Sequence, residues 1–202
     1  MPDSHPFEEG TVLTTGNLRS QYSNPARKAA SLVHEGALAK VQGGLYFVPR
    51  RTRWGPMPPR AEALLSKWLD GEQGQAWVFT GSAAWNALEL GTTAVQAERW
   101  VYNHKRSGHF DLAGHQLQLR RVAFPADPAP EWFVVDLLNH YREAAADLVD
   151  LSSRLASALA SSRFDSAQLT QHAADYGRKW TQQAVADAIA QSNASACARL
   201  SP

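Results

Sequence analysis

Near the start of the chain, apolar residues recur at helical spacing in two short stretches, each with its own start signal. In Leu13-Thr14-Thr15-Gly16-Asn17-Leu18 either threonine can cap a helix, its hydroxyl accepting from unpaired first-turn amides. The pattern predicts a short helix ending near Gln21, with Val12, Leu13 and Leu18 facing inward. Ser23-Asn24-Pro25 then restarts a helix, because Asn24 is a good cap and Pro25 at the first helical position loses no needed hydrogen bond. This second helix is expected from residue 25 to about 35, with Ala26, Ala29, Leu32 and Val33 inside and Gly36 as the left-handed stop. Two strand candidates, residues 37–41 and 45–49, flank the turn Gly43-Gly44. Helix, turn, helix, glycine and hairpin in that order predict a winged helix-turn-helix over residues 1–53. The region before Thr11 is short and holds Pro2 and Pro6, so residues 5–10 have room for only one turn of a preceding helix.

Beyond this module the pattern changes twice at proline clusters. Residues 54–59 hold three prolines and read as a linker, since proline removes donors and biases its predecessor to extended backbone. Ala61, Leu64, Leu65, Trp68 and Leu69 keep helical spacing, and Trp77-Val78-Phe79 is a short strand candidate. Thr80-Gly81-Ser82 opens a helix expected to run through Leu90 and stop at Gly91. Residues 98–103 and 115–122 alternate as strands, with Arg99, Lys105, Arg106, Arg120 and Arg121 nearby. After a second break at residues 125–130, Trp132, Val135, Leu138 and Tyr141 lead one helical stretch to about Ser162. Asp165-Ser166-Ala167-Gln168 is a capping box for a last helix with Leu169, Ala173, Tyr176 and Trp180 on its apolar face. The expected fold class is α+β: the winged helix, then a mixed α/β domain with C-terminal helices over residues 54–190, and a flexible tail over 191–202.

Charge sharpens the first module. The chain has 202 residues and a net charge of +1, yet residues 1–60 hold eight Lys or Arg against four Asp or Glu, while residues 126–202 hold six against nine. The cationic end is where a polyanion would be met. On the second helix the outward set is Ser23, Asn24, Arg27, Lys28, Ser31 and His34, groups that hydrogen-bond phosphates and base edges. Lys40 on the hairpin and Arg50, Arg51 and Arg53 beyond it are placed to hold the phosphate backbone. The expected partner is therefore double-stranded DNA. The lone cysteine, Cys197, rules out an internal disulfide and a multi-cysteine zinc site. A stretch of about 18 apolar residues and a secretory leader are both missing, so the expectation is a cytoplasmic protein with no membrane partner.

Three segments carry a family resemblance: the entry helices followed by Gly43-Gly44-Leu45-Tyr46-Phe47-Val48-Pro49-Arg50, the run from Phe79-Thr80-Gly81-Ser82-Ala83-Ala84-Trp85 through Gly91-Thr92-Thr93, and the 169–180 helix containing Tyr176-Gly177. In these the chain resembles the AbiEi family, the antitoxin and regulator half of bacterial abortive-infection, type IV toxin-antitoxin systems. The resemblance implies an N-terminal winged helix and a C-terminal antitoxin domain. It further implies binding to inverted repeats in the protein's own promoter, as a homodimer or as cooperative monomers, and counteraction of a nucleotidyltransferase toxin from the same operon.

Enzyme signatures are missing: there is no phosphate-binding loop, dinucleotide fingerprint, zinc-protease motif or nucleophile elbow, so neither catalytic residue, cofactor nor metal is expected. Gly81-Ser82 lacks the nearby aspartate pair that a nucleotidyltransferase needs. A metal-dependent nuclease built on Glu98 and Asp111 is a rival without the usual acidic-x-Lys step. Asp136 and His140, four apart, could form a general-base pair or a metal half-site, but read first as a surface pair. An interaction protein acting through its C-terminal helices is the second alternative, and a general winged-helix regulator without a toxin partner the third.

Overall fold

The computed structural model describes residues 7–69, 76–91 and 97–200, without the side chains of 196–200. Pro2, Pro6, His5, Thr92, Thr93 and the Cys197 side chain lie outside the described residues. The fold is mixed α and β. In chain order the elements are β1 (Val12–Thr14), α1 (Thr15–Arg19), α2 (Pro25–His34), β2 (Ala39–Gln42), β3 (Leu45–Phe47), β4 (Arg50–Thr52), β5 (Gly55–Met57) and α3 (Ala61–Leu69). There follow β6 (Trp77–Thr80), α4 (Ser82–Asn86), β7 (Arg99–Asn103), β8 (Gly108–Leu112), β9 (His115–Arg121), α5 (Pro130–Asn139), α6 (Leu148–Ala160), α7 (Ser166–Tyr176) and α8 (Lys179–Leu200). The sheets have the orders β1-β3-β2, β4-β5 and β6-β7-β9-β8. No helix among the described residues is long and apolar enough to cross a membrane. Two compact units divide the chain, Met1–Val78 with Asn103–Arg120, and Phe79–Tyr102 with Arg121–Pro202. Residues 1–53 lie within the first.

In the first unit, β3 is central and buried along its length, pairing antiparallel with β1 (Val12↔Phe47, Thr14↔Leu45) and with β2 (Ala39↔Phe47). Thr14 caps α1 in a full capping box: its Oγ1 accepts from the Asn17 amide at 3.3 Å and Asn17 Oδ1 accepts from the Thr14 amide at 2.9 Å. Val12 and Leu13, expected to face inward, do so from a strand rather than from the approach to a helix. Helix α2 starts at Pro25 under the Asn24 cap and ends before Gly36, whose φ of +73° makes the left-handed stop. Its buried stripe is narrower than expected: Ala29 and Leu32 are buried and Val33 packs against them, but Ala26 is exposed. Leu13, Leu18, Ala37, Leu38, Tyr46 and Val48 are the other buried members of this small core. Among the described residues no helix precedes β1; instead α3, later in the chain, packs against that strand.

The stretch 54–59, expected as a linker, is in part a strand. β4 and β5 form an antiparallel hairpin (Arg50↔Met57, Arg51↔Pro56, Thr52↔Gly55) around the turn Arg53-Trp54. Pro56 is tolerated because it follows the turn-closing pair, and in the alternation of an antiparallel ladder its position exchanges no N–H···O bonds. A second hairpin joins β8 to β9 through Ala113 and Gly114, both left-handed, with φ of 54° and 91°.

The second unit carries the larger core, to which Trp85, Trp100, Val134, Leu138, Leu155 and Leu169 belong. α5 packs on α7, and α6 and α7 pack on α8. The helix expected over 80–90 is only α4; the chain then turns, and the left-handed residue is Glu89 (φ 52°) instead of Gly91. The single helical stretch expected over 132–162 is α5 and α6, separated by turns through Ala145 (φ 53°) and restarted by Asp147, whose side chain accepts from the Val149 and Asp150 amides. The helix expected over 169–180 breaks at Gly177, where a Cβ would meet the Ala173 carbonyl oxygen at 2.4 Å. Asn139 of α5 holds the two pieces together: its Nδ2 donates to the Tyr176 carbonyl at 2.9 Å, and its Oδ1 accepts from the Arg178 amide at 2.9 Å and the Thr181 hydroxyl at 2.8 Å. The capping box of α7 is half as expected. Asp165 accepts from the Ala167 and Gln168 amides, but its own amide donates to the buried Glu131 at 2.9 Å. α8 runs to Leu200, through most of the segment expected as a tail.

Candidate nucleic-acid interface

The face of α2 opposite its buried stripe is set by helical spacing. Arg27, Ser31 and His34 lie at i, i+4 and i+7, on one side of the cylinder, and all three are exposed. Asn24, also exposed, spends its side-chain oxygen on the Arg27 amide at 3.2 Å, which fixes where the first turn begins. Ser23 is exposed just before the cap. Lys28 is half-buried, with its ammonium 5.6 Å from the Tyr22 ring centroid, and the Ser31 hydroxyl donates to Glu35. The structure thus brings Arg27, Ser31 and His34 together and sets Lys28 to one side of them.

Lys40 is exposed on β2 opposite the buried Tyr46, and Gly43-Gly44 makes the tight turn to β3. Arg50 and Arg51 are exposed on β4 and Arg53 at the turn beyond it. These three arginines therefore sit on a hairpin of their own and not in a tail behind the first one. Between Glu35 and Glu62 the sequence contains no acidic residue and five basic ones, Lys40, Arg50, Arg51, Arg53 and Arg60. This stretch is therefore cationic along its own length, although the exposed Glu8 and Glu9 adjoin Gly10, which lies beside Arg50.

Sequence reasoning missed Trp54. It is 84% exposed at the hairpin turn, with the Arg53 guanidinium 4.8 Å from its ring centroid. The available signal was Thr52-x-x-Gly55 behind a run of arginines, which the prolines masked. A second basic loop lies at residues 103–106, where the buried Asn103 side chain accepts from the Lys105 and Arg106 amides at 2.9 and 2.8 Å. Arg106 stacks over Trp68 at 4.4 Å.

The pair Asp136–His140, expected at the surface or as a metal half-site, is enclosed. Asp136 is 3% exposed, and its carboxylate accepts from the Thr80 hydroxyl, from Trp85 Nε1 at 2.9 Å and from the Tyr102 hydroxyl at 2.8 Å. His140 Nδ1 lies 3.3 Å from the same carboxylate and 3.0 Å from the Asp136 carbonyl oxygen, and its ring stacks beside Trp85. Gly81 lets Trp100 close over this node, since a Cβ there would meet the indole at 3.2 Å. Three donors around one carboxylate, from Thr80, Trp85 and Tyr102, tie β6, α4 and β7 to α5. Among the described residues no three His, Cys, Asp or Glu side chains form a group able to hold a metal ion.

No family model and no curated protein matches the chain. Among solved structures, the fold is similar to the crystal structure of the RV2827C protein from Mycobacterium tuberculosis, with a TM-score of 0.54 and 15% sequence identity over 91% of this chain and 76% of that one. At that identity the similarity is one of mixed α and β architecture.

Proposed function

We propose that the protein is a sequence-specific DNA-binding antitoxin and autorepressor of the AbiEi kind, acting in the cytoplasm without catalysis. The observation that carries this is the exposed Arg27–Ser31–His34 face of a capped helix, followed by 26 residues that hold five basic side chains and no acidic one. Two helices between β1 and β2, with β3 paired to both strands, support the winged helix-turn-helix reading of residues 1–53. In that reading α2 enters the major groove, Lys40, Arg50 and Arg51 hold phosphates on either side, and Arg53 meets the duplex from the tip of its hairpin. An inverted-repeat operator then takes two copies, as a dimer or as monomers bound side by side. The counteracted toxin is a nucleotidyltransferase from the same operon.

A labelled duplex from the protein's own upstream region is the direct test. Binding at physiological salt is expected to be at least about 1,000-fold tighter than to random duplex. Equal affinity for the two sinks the regulator reading.

A second reading, direct contact with a protein partner through the C-terminal helices, is favoured by Trp180 and Val149. They are 43% and 75% exposed on α8 and α6, and Arg178 stacks on Trp180 at 5.0 Å. Co-purification with the neighbouring gene product, lost on Trp180→Ala, is its expected signature.

A further inference from the structure

The β4–β5 hairpin presents an aromatic side chain in a setting that burial does not explain. Trp54 is 84% exposed and Met57 50% exposed, while the strand beside them carries Arg50 and Arg51. The turn is held rigidly: the Thr52 hydroxyl donates to the Gly55 carbonyl at 2.7 Å and accepts from the Trp54 amide at 3.2 Å, and Gly55 takes a φ of +110°. Arg53 lies against one face of the indole, leaving the other face and the ring edge open to solvent. A tryptophan has 150–250 Å² to bury, roughly, so an uncovered indole on a braced turn is suited to a partner that is itself flat and apolar on one side.

The surrounding charge narrows that partner. Five basic and no acidic residues lie between Glu35 and Glu62, so the ligand is a polyanion. Nucleic acid combines a polyanionic backbone with planar base faces. A lipid surface would find only Trp54 and Met57 as apolar anchors, too few for stable insertion. We propose that Trp54 is a wedge that lies against a base face at a flexible step of duplex DNA, entering from the minor groove, with Arg53 beside it in the groove and Arg50 and Arg51 on the flanking phosphates. This rests on the DNA-binding reading above, in which α2 occupies the major groove. Only the two-residue tip needs to fit the minor groove, which is about 6 Å wide. Arginine is drawn to that groove where it narrows, and apolar wedges open pyrimidine–purine steps. Trp54 is a binding residue that partly unstacks the duplex.

The test uses the full chain, the labelled upstream duplex, a random duplex of equal length, the single strands of each, and phosphatidylglycerol vesicles. 2-Aminopurine is placed in turn at each pyrimidine–purine step of the upstream duplex. Trp54→Ala is expected to weaken duplex binding by between about 5- and 150-fold, the range of one base–aromatic stack. The slope of log K against log salt is expected to stay as in the wild type, because no charge is lost. Trp54→Phe keeps most of the affinity, and 2-aminopurine brightens at one step with the wild type and Trp54→Phe but not with Trp54→Ala. Melting temperatures of both variants within about 2 °C of the wild type show that the fold is untouched.

If the wild type binds the duplex and Trp54→Ala binds it equally, or 2-aminopurine stays dark throughout, the wedge is overturned and the DNA reading stands. A Trp54-dependent loss confined to single strands overturns it in favour of a single-strand platform. Failure of the wild type to bind any duplex overturns the DNA reading itself, and Trp54-dependent binding to vesicles would then identify a membrane contact.

Discussion

Helix α2, and helix α5 with its C-cap residue, both carry polar residues four apart, Arg27 with Ser31 and Asp136 with His140, and put them to opposite uses. On α2 two of ten residues are buried, and the polar pair lies on the exposed side. On α5 seven of ten are buried, and the polar pair faces β6, α4 and β7 with each carboxylate oxygen already engaged. A polar face left in water can be given to a ligand, even though Ser31 is tied to Glu35; a buried, saturated one holds the fold. Spacing identifies a shared helix face, but the apolar content of the remaining positions decides whether that face meets water or protein. The sharpest way to break this contrast is to remove Asp136. Asp136→Ala strips the acceptor from Thr80, Trp85 and Tyr102 inside the core, where each stranded donor costs its desolvation. We expect a loss of about 4 kcal/mol in urea unfolding. A loss below about 1 kcal/mol would mean that the node does not serve stability, and Asp136 with His140 would become the better candidate site.

Gly177 tests the same unit at one remove. Gly177→Ala puts a methyl group onto the Ala173 carbonyl oxygen, a backbone atom inside the last turn of α7 that cannot swing away. The expected cost is about 2 kcal/mol, in the range of overpacked cores, and it appears as a lowered melting temperature. DNA binding by the residual folded protein is expected to be unchanged, since the break between α7 and α8 serves the helical unit alone. Impaired binding by folded Gly177→Ala would tie the two halves of the contrast together.

What the sequence made legible follows the reach of each signal. Local capping chemistry was readable: Thr14, Asn24 with Pro25, Gly36 and Asp165 each start or stop a helix where expected. The Gly43-Gly44 hairpin was readable for the same reason. Breaks set by tertiary contact were not. Nothing local to Tyr176-Gly177-Arg178 announces that Asn139, almost 40 positions earlier, will take up the exposed carbonyl and amide. Likewise the reciprocal arm of the α7 cap is Glu131 and not Gln168, because a buried carboxylate from α5 outcompetes the exposed amide side chain. Proline misled at residues 54–59, where strand register makes the missing donor harmless. Arg27, Lys40, Arg50, Arg51 and Arg53, each named from sequence, are exposed, whereas the inward turn of Asp136 depends on β6, α4 and β7 and was not legible.

The smallest expected effect on stability belongs to the interface residues, and it distinguishes their roles from one another. Arg27→Ala and Arg51→Ala each remove an exposed side chain, so unfolding free energy should change by no more than about 0.5 kcal/mol. Their effects on binding should differ in kind. Arg51, on β4, is assigned to phosphate; its loss should weaken binding to upstream and random duplexes alike and reduce the salt slope by about one. Arg27, on the outer face of α2, is assigned to base edges. Its loss should cost about 1–3 kcal/mol on the upstream duplex and much less on random DNA, relaxing preference at one position of each half-site. If the two variants instead lose affinity in parallel on every duplex, α2 is one more stretch of cationic surface. The freedom of its polar face would then serve attraction to DNA without reading it.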